Sequence, residues 1–526
     1  MYTLSSLIFL NNLSKTRIIL YFSLIIFSGL VFRYIFFPFD IPIVLDGLGY
    51  FWYAMDLNVT KAFPTNHDLP NNFWPTLLST FFSVSNSENF LDYMSIQRNI
   101  SIIFSVFTSI PAYYLAKKFL KKEYALMVPL IFIFEPRIIE NSLFGITESI
   151  FIFFVTSSLA LFFHEGKKSI LLSFILAGIF CLIRYEGLMM ISAMFGILFY
   201  RFRNKKKNIV FGVLMILVFI LVLAPMSSIR NDTMGYDGIF SHVGTGMIHV
   251  GQEGILGKLQ ENNVKKFFPD VGILNFIKLF GWILIPTFTI FLPIGIFYFL
   301  KTKKRENFEL IIISAFALIP ALYAFSRDIS DVRYFFVVFP VIAILVIYAI
   351  DVISKKTNRR DLISLLFLIL ILIGSFAFFI VNSIDYEYER ESFLISNEIY
   401  HLVEGVNASY YPEGAYLRVA QLTDSSFPIT STEGKSKINF ISSVDEGNLE
   451  DYIINGKDKG LTHLIIDHKF IEDEDRRDQF LGDVFMNEEN YSYLIKEFDS
   501  AQEGFSVHVK IFRIDFEKFE FREKLD

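Results

Sequence analysis

The sequence predicts a polytopic α-helical membrane protein of about eleven transmembrane helices, followed by a C-terminal extracytoplasmic α/β domain. Three observations predict it. The 526 residues are 53% hydrophobic and only 19% charged, whereas soluble chains carry about 25% charge. Apolar stretches of spanning length recur up to residue 384, and the mean hydropathy of the chain is +0.46. Charge then separates the chain in two: residues 385–526 hold 31 acidic and 15 basic side chains, near −16 in a chain whose net charge is −6. Residues 1–384 are read as a basic, apolar membrane module and residues 385–526 as an acidic soluble domain.

The apolar stretches fall at 17–36, 98–116, 123–136, 147–163, 168–183, 187–201, 208–228, 274–300, 307–325, 333–351 and 361–382. A perpendicular span needs about 20 residues, so the shorter ones leave a range of ten to thirteen spans. Basic side chains follow every even-numbered stretch: Lys117 to Lys122, Lys167-Lys168, Arg201 to Lys207, Lys301 to Arg305 and Lys355 to Arg360. Basic loops stay cytoplasmic, which predicts a cytoplasmic N-terminus and an external C-terminal domain. The alternate loops carry Asp46, Glu135, Arg184-Tyr185-Glu186, Arg230 to Asp270 and Arg327 to Arg333, and are external.

Two external loops are long, at about 37–97 and 229–273, and loops of that size carry function or helices of their own. In the first, Phe51–Leu57 and Phe73–Phe82 read as interfacial helices. Past residue 385, Tyr416–Ala420, Leu464–Asp467 and Val507–Ile514 read as strands, and 391–404 and 475–486 as helices. The single cysteine, Cys181, excludes an internal disulfide.

Asp46 is the most informative polar residue. It stands in Leu45-Asp46-Gly47-Leu48-Gly49-Tyr50, which reads as a tight Gly- and aromatic-rich loop near the membrane surface. Asp40 and Asp56 read as solvated loop acids. Glu135-Pro136 ends the third segment, because proline cannot continue the helical ladder. Thr147-Glu148 opens the fourth, with Thr147 as a cap and the acid favoured by the helix dipole. Arg184 and Glu186 bracket a tight external turn that a salt bridge alone would explain. Arg230, Arg327 and Arg333-Tyr334 stand at external span ends, where arginines also meet lipid headgroups. His242 and His249 lack the spacing of a helical metal-binding pair. No phosphate-cradling glycine loop and no dinucleotide fingerprint follows a strand. A chain working outside the membrane therefore calls for a lipid-bound donor rather than a nucleotide, and nothing points to nucleic acid.

In order and sidedness these motifs resemble the GT-C superfamily of membrane glycosyltransferases, nearest to its protein O-mannosyltransferase and aminoarabinose transferase branch. The resemblance covers about residues 15–382 and rests on Asp46 to Tyr50, Glu135-Pro136, Thr147-Glu148, Arg184-Tyr185-Glu186-Gly187, and Arg333-Tyr334 with Pro340. It implies inverting transfer of a sugar from a polyprenyl-phosphate donor to a lipid or protein acceptor at the external face. Asp46 is then the general base. Many members show a second adjacent acid where this chain has Gly47, so Glu148 is the candidate for the second carboxylate. Arg230, Arg327, Arg333 and Tyr334 are implied for the donor phosphate, and Tyr50, Glu135, Arg184 and Glu186 for substrate contacts. No metal ligand is assigned, no cofactor is certain, and a divalent cation is left open. The competing reading is a transporter or flippase of a polar or glycosylated lipid. Such a protein places ionisable groups at mid-bilayer on broken helices in paired halves, whereas here the carboxylates gather on one side. A mere anchor for the C-terminal domain would need one span and leave the others unexplained.

Overall fold

The computed structural model describes residues 15–523 except 44, 66, 68, 70, 165, 204–205, 242–268, 286–287, 328, 356–359, 383–385, 403–405, 410–428, 432–438, 442–447 and 469–479. His242, His249 and the expected strand Tyr416–Ala420 lie outside the described residues. The chain divides into two compact units: Met1–Phe37 with Phe63–Thr80 and Ile96–Ser383, and Pro38–Ala62 with Phe81–Ser95 and Ile384–Asp526.

The first unit is helical because long apolar runs satisfy their backbone groups within the segment in lipid as helices. Among the described residues, six helical segments are long and apolar enough to cross a membrane: Thr16–Ile35, Phe90–Phe119, Ile209–Met234, Arg305–Phe325, Val332–Ser354 and Leu362–Asn382. Glu148–Phe162, Gly187–Phe202 and Phe291–Lys301 are shorter apolar helices. The expected stretch 274–300 is two helices, Pro269–Ile283 and Phe291–Lys301, rather than one span. Pro286 stands in the break. Prolines explain other interruptions too. Pro111, Pro129 and Pro320 each lack the N–H that would bond the carbonyl four residues back, and the ladder restarts at Ser109, Met127 and Ile319.

Val332–Ser354 is the most enclosed long segment, with 83% of its apolar window buried. It starts as a 3₁₀ turn over Val332–Val338 and continues as an α-helix over Phe339–Ser354, with Pro340 in the first turn. Gly295 lets the helix Phe291–Lys301 approach it closely: a Cβ there would lie 2.2 Å from the Leu345 carbonyl oxygen. Gly295→Ala is therefore expected to cost about 1–3 kcal/mol by overpacking. Gly281→Ala, whose Cβ meets nothing within 4 Å, is the control, and thermal unfolding of the two purified variants compares them.

Arg33 ties several helices together from a fully buried position. It donates to the Ile133 carbonyl at 3.1 Å, the Gly29 carbonyl at 3.2 Å, Ser142 Oγ at 3.1 Å and Ser105 Oγ at 3.0 Å. All four acceptors are neutral, so Arg33 is a brace.

The second unit contains a five-stranded sheet in the order β2-β1-β3-β5-β4. The strands are β1 Asn407–Ser409, β2 Asn439–Ile441, β3 His463–Asp467, β4 Leu494–Asp499 and β5 Val509–Ile514. β1 pairs in parallel with β2 and β3, while β5 runs antiparallel to β3 and β4. Every residue of β3 is buried, as expected of a strand covered on both faces. Leu464 and Ile466 pack with the helices Leu449–Asp458, Phe480–Met486 and Phe516–Glu523, and Ile465 packs with Ile395 and Ile399 of helix Tyr386–Leu402. The expected strands at 464–467 and 507–514 thus fall on β3 and β5.

Candidate functional site

Glu148 is presented by a rigid connection. Helix Pro136–Leu143 ends at Phe144, and Gly145 turns the chain with φ +68°, a conformation that favours glycine. The Gly145 carbonyl accepts from Trp74 Nε1 at 3.1 Å and Gln97 Nε2 at 2.8 Å, both fully buried, and Arg98 Nε holds the Leu143 carbonyl at 3.0 Å. Glu148 then opens its helix, 3% exposed. Thr147 does not cap the backbone; its hydroxyl meets Glu148 Oε2 at 3.4 Å.

A second turn faces Glu148. Helix Lys167–Ile183 stops at Arg184, and Gly187 begins the next helix with its Cα close against Phe180: a Cβ there would lie 2.6 Å from that ring. Only glycine fits this reversal. Arg184 Nη1 bonds Glu148 Oε1, and Nη2 bonds Glu186 Oε1 at 2.8 Å. Tyr185 is held through its backbone N–H on Asn71 Oδ1 at 3.3 Å. Burial, reinforced by the Glu186 carboxylate, pushes the Tyr185 phenol well above its ordinary range, so it remains a hydrogen-bond donor.

The third contributor is the 3₁₀ turn. Asp331 caps it by accepting from the Arg333 N–H at 2.8 Å, and its other oxygen takes Arg333 Nε at 2.7 Å. Arg333 Nη1 lies 3.8 Å from Glu148 Oε1, and Arg184 stacks 5.6 Å over the Tyr334 ring. Glu148, Arg184, Glu186, Arg333 and Tyr334 line one tight cleft of about 20 Å³, floored by Phe151, Ile152, Met190 and Phe336. Arg333 is the more open guanidinium, 30% exposed against 15% for Arg184. A charged rim over an apolar floor can hold a phosphate ester whose remainder is apolar.

Other expected site residues stand elsewhere. Arg230 is fully buried, with Nε on Asn72 Oδ1 at 2.7 Å and Nη2 on the Leu182 carbonyl at 3.2 Å, so it steadies the end of helix Lys167–Ile183. Glu135 caps helix Pro136–Leu143 through the Ile138 N–H at 2.9 Å and pairs with Arg137 at 3.3 Å. Arg137 in turn donates to the carbonyls of Trp282, Ile283 and Ile285. Arg327 donates to Tyr323 Oη at 3.3 Å, outside the cleft lining. Sequence reading passed over Asp331, Asn72 and Trp74. Of these only Asp331 carries a signal, an Asp two residues ahead of Arg333 at a helix start. Among the described residues no three His, Cys, Asp or Glu side chains converge as metal ligands.

In the second unit, Asp46 lies in the first turn of the helix Leu45–Thr60, not in a loop. Its side chain is exposed, and Tyr50 shares its face four residues on. Buried Phe51, Ala54 and Met55 recur at helical spacing, which carries the helix back through Gly47 and Gly49. Asp56, read from sequence as a solvated acid, is 5% exposed. Its two oxygens accept from the Ser431 N–H and Oγ, each at 2.5 Å. Asp40 pairs with Arg390 and is exposed as expected. The helix that carries Asp46 is thus bonded to the C-terminal segment of the same unit. Asp56→Ala should cost about 1.5–3 kcal/mol, the loss of hydrogen bonds to a charged group, read as a lowered melting temperature against an Asp40→Ala control.

Residues 78–228 match the family described as dolichyl-phosphate-mannose-protein mannosyltransferase. That segment includes Glu148, Arg184 and Glu186. No curated protein sequence matches the chain. The oligosaccharyltransferase of Archaeoglobus fulgidus, solved in its apo form, superposes with a TM-score of 0.55 over 86% of this chain and 70% of its own, at 13% identity. ArnT from Cupriavidus metallidurans bound to undecaprenyl phosphate gives 0.54 over 93% and 97%, at 10% identity. The chain shares the fold of these two solved proteins. With the apolar helices that fold makes the chain an integral membrane protein. The GT-C resemblance read from Glu148, Arg184 to Gly187 and Arg333-Tyr334 therefore agrees with the fold, and three of its motifs meet in one cleft.

Proposed function

We propose that the protein is an inverting glycosyltransferase that moves a sugar from a polyprenyl-phosphate donor to a lipid or protein acceptor at the external membrane face. The observation that carries this reading is the cleft of Glu148, Arg184, Glu186, Arg333 and Tyr334, partly encoded within the segment that matches the mannosyltransferase family.

The chemistry divides into two tasks. The acceptor oxygen attacks the anomeric carbon while the bond from that carbon to the phosphate oxygen breaks. The polyprenyl phosphate leaves with the bonding pair and gains a negative charge, so it needs cations rather than a general acid. Arg333 and Arg184 meet that need, because a guanidinium fork binds two phosphate oxygens. Glu148 and Asp331 fix the two forks in place, so Glu148 enters the reaction through the arginines. The acceptor hydroxyl must also lose its proton, and Asp46 takes it, as the family resemblance implies. Arg230 and Glu135 brace helix ends, and their phosphate and substrate contacts stay proposals that the family resemblance implies. Arg327 and Tyr50 remain proposed phosphate- and substrate-binding residues. The basic turns at the opposite helix ends support a cytoplasmic N-terminus and an external C-terminal domain.

The transporter reading asks for ionisable groups at mid-bilayer and broken helices in paired halves. Arg33, fully buried inside an apolar helix, is satisfied by four neutral acceptors, and the reading gains no support there. Release of polyprenyl phosphate from a labelled donor by the purified protein tests the proposal. Movement of intact donor across a vesicle without release would overturn it.

A further inference from the structure

The helical segment Val332–Ser354 links the cleft described above to a second concavity. Arg333 and Tyr334 stand at its start, whereas Asp351 lies near its end, with Lys355 just beyond. At 1.5 Å per residue the two sites are about 30 Å apart, a bilayer core's thickness.

This second cleft has a volume of about 440 Å³. Lysines from three separate turns line it: Lys118 and Lys121 around the end of helix Ser109–Phe119, Lys304 ahead of helix Arg305–Ala317, and Lys355 after helix Phe339–Ser354. Two carboxylates share the space. Glu306 lies 3.8 Å from Lys118 Nζ, and Asp351, itself buried, lies 2.5 Å from Lys355 Nζ. Among the described residues, Lys121 and Lys304 form no ion pair with an acidic side chain. The lining therefore carries an excess of two positive charges, beside the apolar walls of Phe119, Leu120 and Tyr348. Ordinary solvated lysines on separate loops would repel one another and spread. Here three turns of one compact unit hold them around a shared hollow at the ends of spanning helices.

We propose that this cleft binds the phosphate headgroup of an anionic phospholipid in the leaflet it faces, the cytoplasmic one on the orientation proposed above. Lysine ammoniums are point charges on flexible stems, suited to a phosphate that presents no fixed planar geometry. Apolar walls beside the cations suit the glycerol and acyl portion, which a free phosphate lacks. Juxtamembrane lysine clusters attract anionic lipid in this manner.

The test measures phospholipid retained by the purified full chain after delipidation and incubation with mixed phosphatidylglycerol and phosphatidylcholine. Wild type should enrich phosphatidylglycerol. The variant Lys121→Gln/Lys304→Gln should lose about thirtyfold of that enrichment, near what two juxtamembrane lysines contribute. A control, Lys167→Gln/Lys168→Gln, alters a basic turn outside the cleft and should retain it. Unchanged thermal transitions and size-exclusion profiles establish that all three fold. Equal enrichment in wild type and the cleft variant overturns the proposal, and so does an equal loss in the control. Displacement of the lipid by millimolar inorganic phosphate would assign the cleft to a soluble phosphate and overturn the lipid assignment.

Discussion

Asp46→Asn should abolish glycosyl transfer while leaving expression and membrane insertion unchanged. The substitution keeps the volume and the hydrogen-bonding outline but removes the basic oxygen. Loss of a general base costs about 10²–10⁴ in rate, which puts the variant at the floor of most transfer assays. Asp46 is exposed in a first helical turn and asparagine keeps its outline, so the fold should not change. Asp46→Glu is the informative companion. It retains the carboxylate one methylene further out and should recover part of the activity if proton transfer is the role. Full activity in Asp46→Asn, measured as polyprenyl phosphate released, would remove Asp46 as the base.

The second large effect is expected at Arg184, where fold and chemistry are entangled but separable. Arg184 is the direct partner of both Glu148 and Glu186. Arg184→Gln leaves Glu148, 3% exposed, as a buried carboxylate without its main cation. Breaking a buried pair from one side costs about 3–5 kcal/mol. Turnover should fall by about 10²–10³ as well, the usual loss when a preorganised group facing developing charge is removed. The double variant Glu148→Gln/Arg184→Gln tells the two apart. It removes the stranded charge, so the melting temperature should recover toward wild type. Turnover should stay low, because the cation that meets the phosphate is still missing. Recovery of both would make the pair purely structural. Recovery of neither would place the damage in the turn itself, where Gly187 abuts Phe180.

Much of the helical framework was legible because apolar runs and alternating basic loops are physical requirements of a bilayer. Interruptions at Pro111, Pro129 and Pro320 follow from proline chemistry, yet the sequence reading did not mark them and periodicity joined 274–300 into one span. The polar residues were harder. An arginine at an external span end has the same sequence signature whether it awaits a phosphate, as proposed for Arg333, or closes a helix end, as Arg230 does through Asn72 and the Leu182 carbonyl. Only the partner distinguishes them, and Asn72 lies far away in sequence. Glu135 shows the same ambiguity, since a carboxylate before proline is as good a helix cap as a ligand. Asp56 was misread for a related reason: its acceptor role depends on Ser431, some 375 positions later. The Asp46 turn was read as a loop because its two glycines suggested one. Burial of Phe51, Ala54 and Met55 on one face outweighed them.

The central claim concerns the donor, and one assay addresses it most directly. Purified protein in lipid is given radiolabelled sugars on polyprenyl phosphate and, in parallel, the matching nucleotide sugars. The account predicts release of polyprenyl phosphate and label on an acceptor from at least one lipid-linked donor, with none from the nucleotide forms and none in Asp46→Asn. Turnover of a nucleotide sugar, or passage of intact lipid-linked donor across the bilayer without cleavage, would contradict it.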